Sequence, residues 1–436
     1  MNILLVILAG TSVFLIFAYF LYSSLILLLP PFKNSNAKER VKDDTELTYL
    51  FLIPCLNEEL VIEKTINSIL SLKYDKKMVV VIDDDSVDNT VNIIKGLKNP
   101  NVRIIERKKP NAQLGKGESL NYAYSKIKRA VSLLNLDPDK IILTVIDGDG
   151  RPSTNFLEEA SKCFSDPSIG AAQARVRITN RAKMLPMLQD IEFYSTVAAI
   201  QNSREYTESV GLGGNGQFTR LSALYDLGET PWSKCLLEDF DLGLSILLKG
   251  WKSKYLGKAI VYQQGLTSIK RFIRQRARWV QGNIQSMSRL REIVKSEKLQ
   301  GISKLDIYYF LAQPWINLLG SLIMVFSWFM ILFFFQAIDW QAGFNNSLEN
   351  SGAILIILAL IFGPGLVWCI YYYEQSKQDA NGTSLFRAIL ASICMPLYNI
   401  LTIPSIWLAF WKQVTRNILR LVGKTTAMVL PTIFLL

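Results

Sequence analysis

The distribution of apolar residues limits most strongly what this chain can become. Residues 3–30 form one apolar run, broken by little beyond Thr11, Ser12, Ser23 and Ser24. At 1.5 Å per helical residue such a run crosses a hydrocarbon layer of about 30 Å. It is longer than the apolar part of a secretion signal, no basic stretch precedes it, and no small-x-small cleavage pattern follows. An uncleaved membrane helix over 1–32 is therefore expected. Apolar runs return at 310–335, 353–373 and 387–411, rich in Leu, Ile, Phe and Trp and nearly free of charge. Between these ends, residues 45–265 read as an ordinary soluble stretch, long enough for one α/β domain.

Charge placement orients these segments. Lys33, Lys38, Arg40 and Lys42 follow the first apolar run and nothing basic precedes it, which puts the soluble domain on the cytoplasmic side of a multi-pass protein of the plasma membrane. The segment 338–352 holds Asp339 and Glu349 but no Lys or Arg, as an outside loop would, and Lys377 and Arg387 suit an inside return. A full crossing by 387–411 would leave Lys412, Arg416, Arg420 and Lys424 outside, against the rule. Pro396 and Pro404 offer a break into a re-entrant or interfacial pair, so the number of crossings stays open. Between 267 and 304 there are ten Lys or Arg against two Asp or Glu, interleaved with Phe272, Ile273, Trp279, Met287 and Leu290. That pattern over 266–304 describes amphipathic helices lying at anionic headgroups. Beside membrane helices, lipid explains the basic patch better than nucleic acid does, and no nucleic-acid partner is expected.

Composition removes whole classes of chemistry. The 436 residues include 48 Lys plus Arg, 37 Asp plus Glu and no histidine. Any mechanism built on imidazole is excluded, and proton transfer near neutral pH falls to carboxylates, Lys, Cys or Tyr. Cys55, Cys163, Cys235, Cys369 and Cys394 form no C-x-x-C pair, so zinc-finger, thioredoxin-like and disulfide-scaffold readings fall away and a reducing compartment is the default.

Within the soluble stretch, apolar runs at Tyr49–Ile53, Met78–Ile82, Val102–Ile105 and Ile141–Ile146 alternate with helical spacing at 59–72, 88–97 and 117–134. Strands without polar alternation, separated by helices, predict a mostly parallel sheet covered on both faces. Ligands of such sheets bind at the carboxyl ends of strands, where the acidic motifs sit. Asp83, Asp84, Asp85 and Asp88 follow one strand, as an Asx-rich turn capping a helix at Asp88 or Asn89 or as ligand contacts. Asp147 and Asp149 flank Gly148 after another, a pair able to chelate a hard divalent ion that bridges a diphosphate. Gly115, Lys116 and Gly117 open a helix where phosphate could rest, although such turns are commonly only turns. Glu238, Asp239 and Asp241 begin an amphipathic helix; macrodipole stabilisation explains them, and so does a catalytic base in a chain without histidine.

Taken in order, IPCLNEE, IDDDSVDNT, GKGESLN, IDGDG, LEDFDL and QRARW resemble the membrane-bound inverting glycosyltransferases of family 2, the relatives of cellulose, chitin and hyaluronan synthases. The match spans about 49–282. The resemblance implies a GT-A nucleotide-binding domain over 45–265, with a membrane and interfacial region over 305–436 forming a polymer channel. Asp83 and Asp84 would contact the base and ribose, with Lys116 and Asp147 also on the donor nucleotide. Asp147 and Asp149 would hold Mg²⁺ or Mn²⁺. Asp239, beside Glu238, would be the catalytic base, and Gln275, Arg278 and Trp279 would cover the nucleotide and support the acceptor sugar. Three positions depart from the family pattern: Asp85 stands where many members have glycine, Leu237 replaces the usual threonine, and Gly148 fills the middle of the D-x-D.

The activity implied is transfer from a nucleotide sugar, UDP-linked before GDP-linked, to a β-linked polysaccharide coupled to its passage across the bilayer, with accessory export subunits as further partners. Transfer of one sugar to a lipid-linked acceptor is the alternative. A bare transporter is disfavoured because the apolar segments lack the buried charges of a transport path. A regulatory nucleotide-binding domain after 411 is not expected. Gly213–Gln217 could turn beneath the incoming sugar, and Trp315, Trp328, Trp340, Trp368, Trp407, Trp411 and Tyr371–Tyr373 suit either a sugar-stacking path or interfacial belts.

Overall fold

In a computed structural model of the chain, the described residues are positions 7, 10, 11, 14 and 17 together with 21–32, 47–335, 347–377 and 382–433. Their side chains are described except over 326–357, at 360 and from 417 onward. Much of the first part of the apolar run at 3–30, the basic residues Lys33 to Lys42 and most of the loop at 338–352 lie outside the described residues.

An eight-stranded sheet forms the centre, in the order β3-β2-β1-β4-β7-β6-β8-β5. The strands are β1 (Thr48–Cys55), β2 (Lys77–Asp83), β3 (Val102–Glu106), β4 (Ile141–Val145), β5 (Arg151–Pro152), β6 (Ile169–Ile178), β7 (Gln217–Arg220) and β8 (Lys252–Gln263). The pairs β1–β2, β1–β4, β2–β3 and β6–β8 are parallel; β4–β7, β6–β7 and β5–β8 are antiparallel. The expected mostly parallel sheet is therefore present on its first half, with an antiparallel hand-over at β7.

Side-chain alternation along β1 shows why its sequence is apolar throughout. Tyr49, Phe51, Ile53 and Cys55 pack on one face with Ile62, Ile66 and Ile69 of the 62–70 helix and Phe156 and Phe164 of the 156–164 helix. Leu52 faces the opposite core, made with Leu120, Tyr124 and Ile127 of the 116–133 helix and Leu242 and Ile246 of the 238–248 helix. Each residue turns to one of two buried faces, so a polar residue would be buried at either. Because β2 and β4 both run parallel to β1 on either side of it, their carboxyl ends open a crevice at a change of strand order.

Two helices of the described residues are long and apolar enough to cross a membrane, Gly301–Val325 and Leu385–Arg416. They carry exposed Leu305, Ile316, Leu319 and Leu322 on the first and Phe386, Ile393, Leu397 and Trp411 on the second. The segment 353–373 lies in the helix Ser347–Ser376.

The break that Pro396 and Pro404 offered is not taken: the helix Leu385–Ile433 runs through both. Pro396 frees the Ser392 carbonyl, but a Cβ on Gly365 of the neighbouring helix would lie 3.0 Å from that oxygen, so the freed group is packed over rather than bared. The basic stretch at 266–304 is broken into several helical pieces. It gives a helix Ile269–Ser286, a single 3₁₀ turn over Met287–Arg289, a short α-helix Leu290–Lys295, and then the long apolar helix from Gly301.

Candidate active site

Asp83 ends β2 and is fully buried; its Oδ2 accepts from the Ser86 amide at 3.2 Å, while Oδ1 is buried without a hydrogen-bond partner among the described residues. An orphaned buried carboxylate oxygen is costly and points to a donor supplied from outside the chain. Asp84 is held by Arg107, whose guanidinium also donates to the Asn111 carbonyl and lies 5.7 Å from the Tyr122 ring centre. Asp85 adopts φ 71°, which explains why glycine suits this position: the backbone is left-handed, and Asp is among the few side-chain-bearing residues that accept it. Asn89 caps the following helix only by position, since Asp88 accepts from the Thr90 amide and hydroxyl instead.

Lys116 opens the 116–133 helix and reaches across the crevice. Its ammonium donates to Asp147 Oδ1 at 2.5 Å and to the Gly214 carbonyl at 3.3 Å. Burial alone would lower its pKa, but Asp147, Glu238 and Asp239 together raise it, so the group stays charged. Gly214 sits at φ 77°, and a Cβ there would lie 2.7 Å from Asp239 Oδ2 and 3.4 Å from the Lys116 ammonium. Gly214 is thus close to both Asp239 and Lys116, and the lysine also contacts Asp147.

Asp239 lies in the first turn of the helix Glu238–Leu248; its Oδ1 accepts from the Phe240 amide at 2.8 Å, leaving Oδ2 toward Gly214. Burial and then Glu238 push its pKa up to about 6, against the opposing pull of Lys116. Leu237 precedes this helix without a side-chain cap; it packs on Gly282, where a Cβ would meet its backbone nitrogen at 2.7 Å. An apolar contact thus stands at this position.

Gly148 has a similar cause, since a Cβ there would sit 2.9 Å from Glu58 Cγ. Glu58 packs against the turn between Asp147 and Asp149, and its pKa is pushed up to about 7 by burial, then by Asp149 and Asp147. Asp149 is raised by burial first, although its Oδ2 accepts from the Gln264 amide at 2.9 Å. A carboxyl whose folded value lies above its unfolded 4.5 holds its proton more tightly when folded, so stability falls as pH rises from about 4.5 to about 7. Glu58→Gln is accordingly expected to raise the thermal midpoint at pH 8, without divalent ions, by about 2–4 °C and to leave it unchanged at pH 4. Equal midpoints at pH 8 would count against this electrostatic picture.

Among the described residues no group of three or more acidic or sulfur ligands is arranged to enclose a metal ion. The crowded carboxylates at 147 and 149 nevertheless fit a hard cation that takes one or two protein ligands and completes its shell with phosphate oxygens and water.

Gln275, Arg278, Trp279 and Gly282 fall at i, i+3, i+4 and i+7 of the helix Ile269–Ser286 and so share a face. Gly282 abuts Leu236 and Leu237, and Gln285 accepts from the Leu236 amide at 3.1 Å, which brings that face beside the residues leading into Glu238 and Asp239. Gln275 is half-buried and Arg278 exposed. The Trp279 ring meets Phe193 edge-on at 6.1 Å, with the Arg276 guanidinium 4.4 Å from its centre.

Sequence reasoning missed Glu58, Arg107 and Asn215. Asn215 accepts from the Asp147 amide at 3.1 Å and donates to Gln263 at 2.7 Å, locking the turn that follows β4. Glu58 lay inside the quoted IPCLNEE run and Asn215 inside the glycine turn; Arg107, in the basic run after β3, carried no distinguishing signal. The aromatic set divides: Trp368 and Tyr372 are buried, Trp315, Trp407 and Trp411 are exposed, and the Trp328 side chain and Trp340 lie outside what is described.

A profile of the family described as Glycosyltransferase like family 2 matches residues 47–282. A poly-beta-1,6-N-acetyl-D-glucosamine synthase of Staphylococcus aureus (strain COL) is 30% identical over 258 residues, which is 58% of this chain and 59% of that protein. The synthase of the same name from Staphylococcus epidermidis is 30% identical over 255 residues, 57% of this chain and 58% of its own length. The chain thus spans under two thirds of these relatives. Among solved structures, the mannosyltransferase PcManGT from Pyrobaculum calidifontis, in complex with GDP-Man and Mn²⁺, superposes with a TM-score of 0.53 at 18% identity, covering 90% of this chain and 98% of that one. That likeness speaks to the fold.

Proposed function

The chain belongs to glycosyltransferase family 2, with a GT-A-type fold, and from that premise we propose that it builds a β-linked polysaccharide at the cytoplasmic face of the plasma membrane. The donor is a nucleotide sugar, and the relatives' names favour N-acetylglucosamine carried on UDP. The observation that carries the reading is the reach of Lys116, which ties Asp147 at the end of β4 to the wall formed by Gly214 and Asp239.

In this reading Asp83 and Asp84 bind the base and ribose, the open Oδ1 of Asp83 taking a donor from the nucleoside. Lys116 exchanges part of its contact with Asp147 for the diphosphate, a point charge well suited to phosphate. Asp147 and Asp149 are the residues that would hold Mg²⁺ or Mn²⁺, which when bound neutralises the departing diphosphate. Asp239 takes the proton from the acceptor hydroxyl, and that oxygen attacks the anomeric carbon opposite the diphosphate, so an α-linked donor yields a β-glycoside. Burial and then repulsion by Glu238 push the Asp239 pKa up to about 6. Gln275, Arg278 and Trp279 close over the site beside Leu237 and exclude water. The exposed apolar helices sit in the bilayer, where the growing chain departs.

Gly214→Ala tests the wall directly. Its Cβ would collide with Asp239 Oδ2 on a left-handed backbone, so turnover is expected to fall about 10²-fold with the fold retained. Wild-type turnover would show that Asp239 does not work against this turn. The function itself is tested with purified protein in lipid, offered UDP-glucose, UDP-N-acetylglucosamine and GDP-mannose, with nucleotide release followed and the product digested by defined glycosidases. Release from UDP-N-acetylglucosamine, with a polymer degraded by a β-N-acetylglucosaminidase, is expected. A product of one sugar on lipid would overturn the polymerase reading.

A further inference from the structure

One residue of the Q-x-x-R-W stretch is turned away from the site. Arg276, 9% exposed, forms a two-pronged pair with Glu192, and its Nη2 also lies 3.1 Å from the Tyr398 hydroxyl. Tyr398 donates its hydroxyl to the same Glu192 carboxylate and packs its ring 5.2 Å from Phe272. Glu192 opens a π-helical turn, Glu192–Val197, inside an otherwise α-helical stretch. Such a turn inserts an extra residue and re-aims the side chains around it, here Glu192 and Phe193, toward the helix Ile269–Ser286. Tyr398 belongs to the long apolar helix Leu385–Ile433. Three elements distant in sequence therefore meet at one guanidinium.

That guanidinium lies over the ring of Trp279, which Phe193 holds from its edge. Glu192, Tyr398, Phe272, Trp279 and Phe193 surround it, and Nε is buried with no hydrogen-bond partner among the described residues. A buried arginine placed this way is weak as a source of stability but strong as a fixer of geometry. We propose that Tyr398, acting through the Glu192–Arg276 pair, is a positioning residue that sets the Trp279 ring for the acceptor sugar from within the membrane helix. The inference rests on the reading of Trp279 as an acceptor contact.

The test uses the full chain in lipid. Tyr398→Phe removes one hydroxyl and keeps the ring on Phe272, whereas Glu192→Gln would leave Arg276 buried without its counter-charge and could unfold the site. Tyr398→Phe is expected to lower the elongation kcat about tenfold with the donor KM within about twofold. Trp279→Phe retains an aromatic ring and measurable turnover, and adding Tyr398→Phe to it should cost no more than a further twofold, because both changes act on one contact. Uniform 5-fluorotryptophan labelling gives an independent readout: the ¹⁹F line missing in Trp279→Phe identifies Trp279, and Tyr398→Phe should shift it. Additive losses, or an unmoved Trp279 line, would overturn the positioning role. Full elongation by Trp279→Phe would instead sink the acceptor reading beneath it.

Discussion

Asp239→Asn is expected to abolish transfer, by 10³-fold or more, while the protein still binds its nucleotide donor. The substitution keeps shape and volume but removes the charge that accepts the acceptor's proton, and no histidine exists to replace it. A general base contributes about 10²–10⁴-fold, and the loss should fall on kcat, since in the proposed reading the donor is assigned to Asp83, Lys116 and Asp147 rather than to Asp239. The wild-type pH profile follows from the same group. Its pKa is pushed up to about 6 by burial and by Glu238, and only the ionised form accepts a proton. Turnover should therefore rise with pH through about 6 and then level, the limb vanishing in the residual activity of Asp239→Asn. An unshifted acid limb in that variant, or normal turnover, would assign the base elsewhere.

The second large effect concerns the acidic pair. Removal of divalent ions with a chelator is expected to stop transfer, and so is Asp147→Ala or Asp149→Ala. The two substitutions should differ in detail. Asp147 is paired with Lys116, so its loss frees a cation that can still meet the diphosphate, whereas Asp149 is fixed by the Gln264 amide and its loss removes a carboxylate alone. Titration calorimetry with UDP should show Mn²⁺ strengthening nucleotide binding about tenfold or more in the wild type and much less in either variant. Full activity in chelator would remove the metal from the account.

Much of the first half of the sheet was legible because strands buried on both faces leave a simple trace: β1, β2, β3 and β4 were each read to within two residues at either end. The later strands were not. β6 carries Arg175 and Arg177 among its apolar residues, and their guanidinium groups lie 3.6 and 3.8 Å from the Tyr194 ring centre, a partner no local pattern announces. β7 is four residues long and entered from a glycine turn. The site was legible in its charged ends, because Asp83, Asp147 and Asp239 follow strands or open helices. The contacts joining them were not: Gly214 beneath Asp239, Glu58 over Gly148 and Gly282 on Leu237 are close approaches set by tertiary packing. The break that Pro396 offered is not taken for the same reason, since a neighbouring glycine covers what this proline uncovers.

The most direct test is a cryo-electron microscopy map of the chain in a lipid nanodisc with UDP and Mn²⁺. The account predicts the diphosphate between Lys116 and the pair Asp147 and Asp149, the uracil toward Asp83, and the Asp239 carboxylate and Trp279 ring facing the cleft. Nucleotide bound beyond β3, or Asp239 turned from the diphosphate into the protein core, would contradict it.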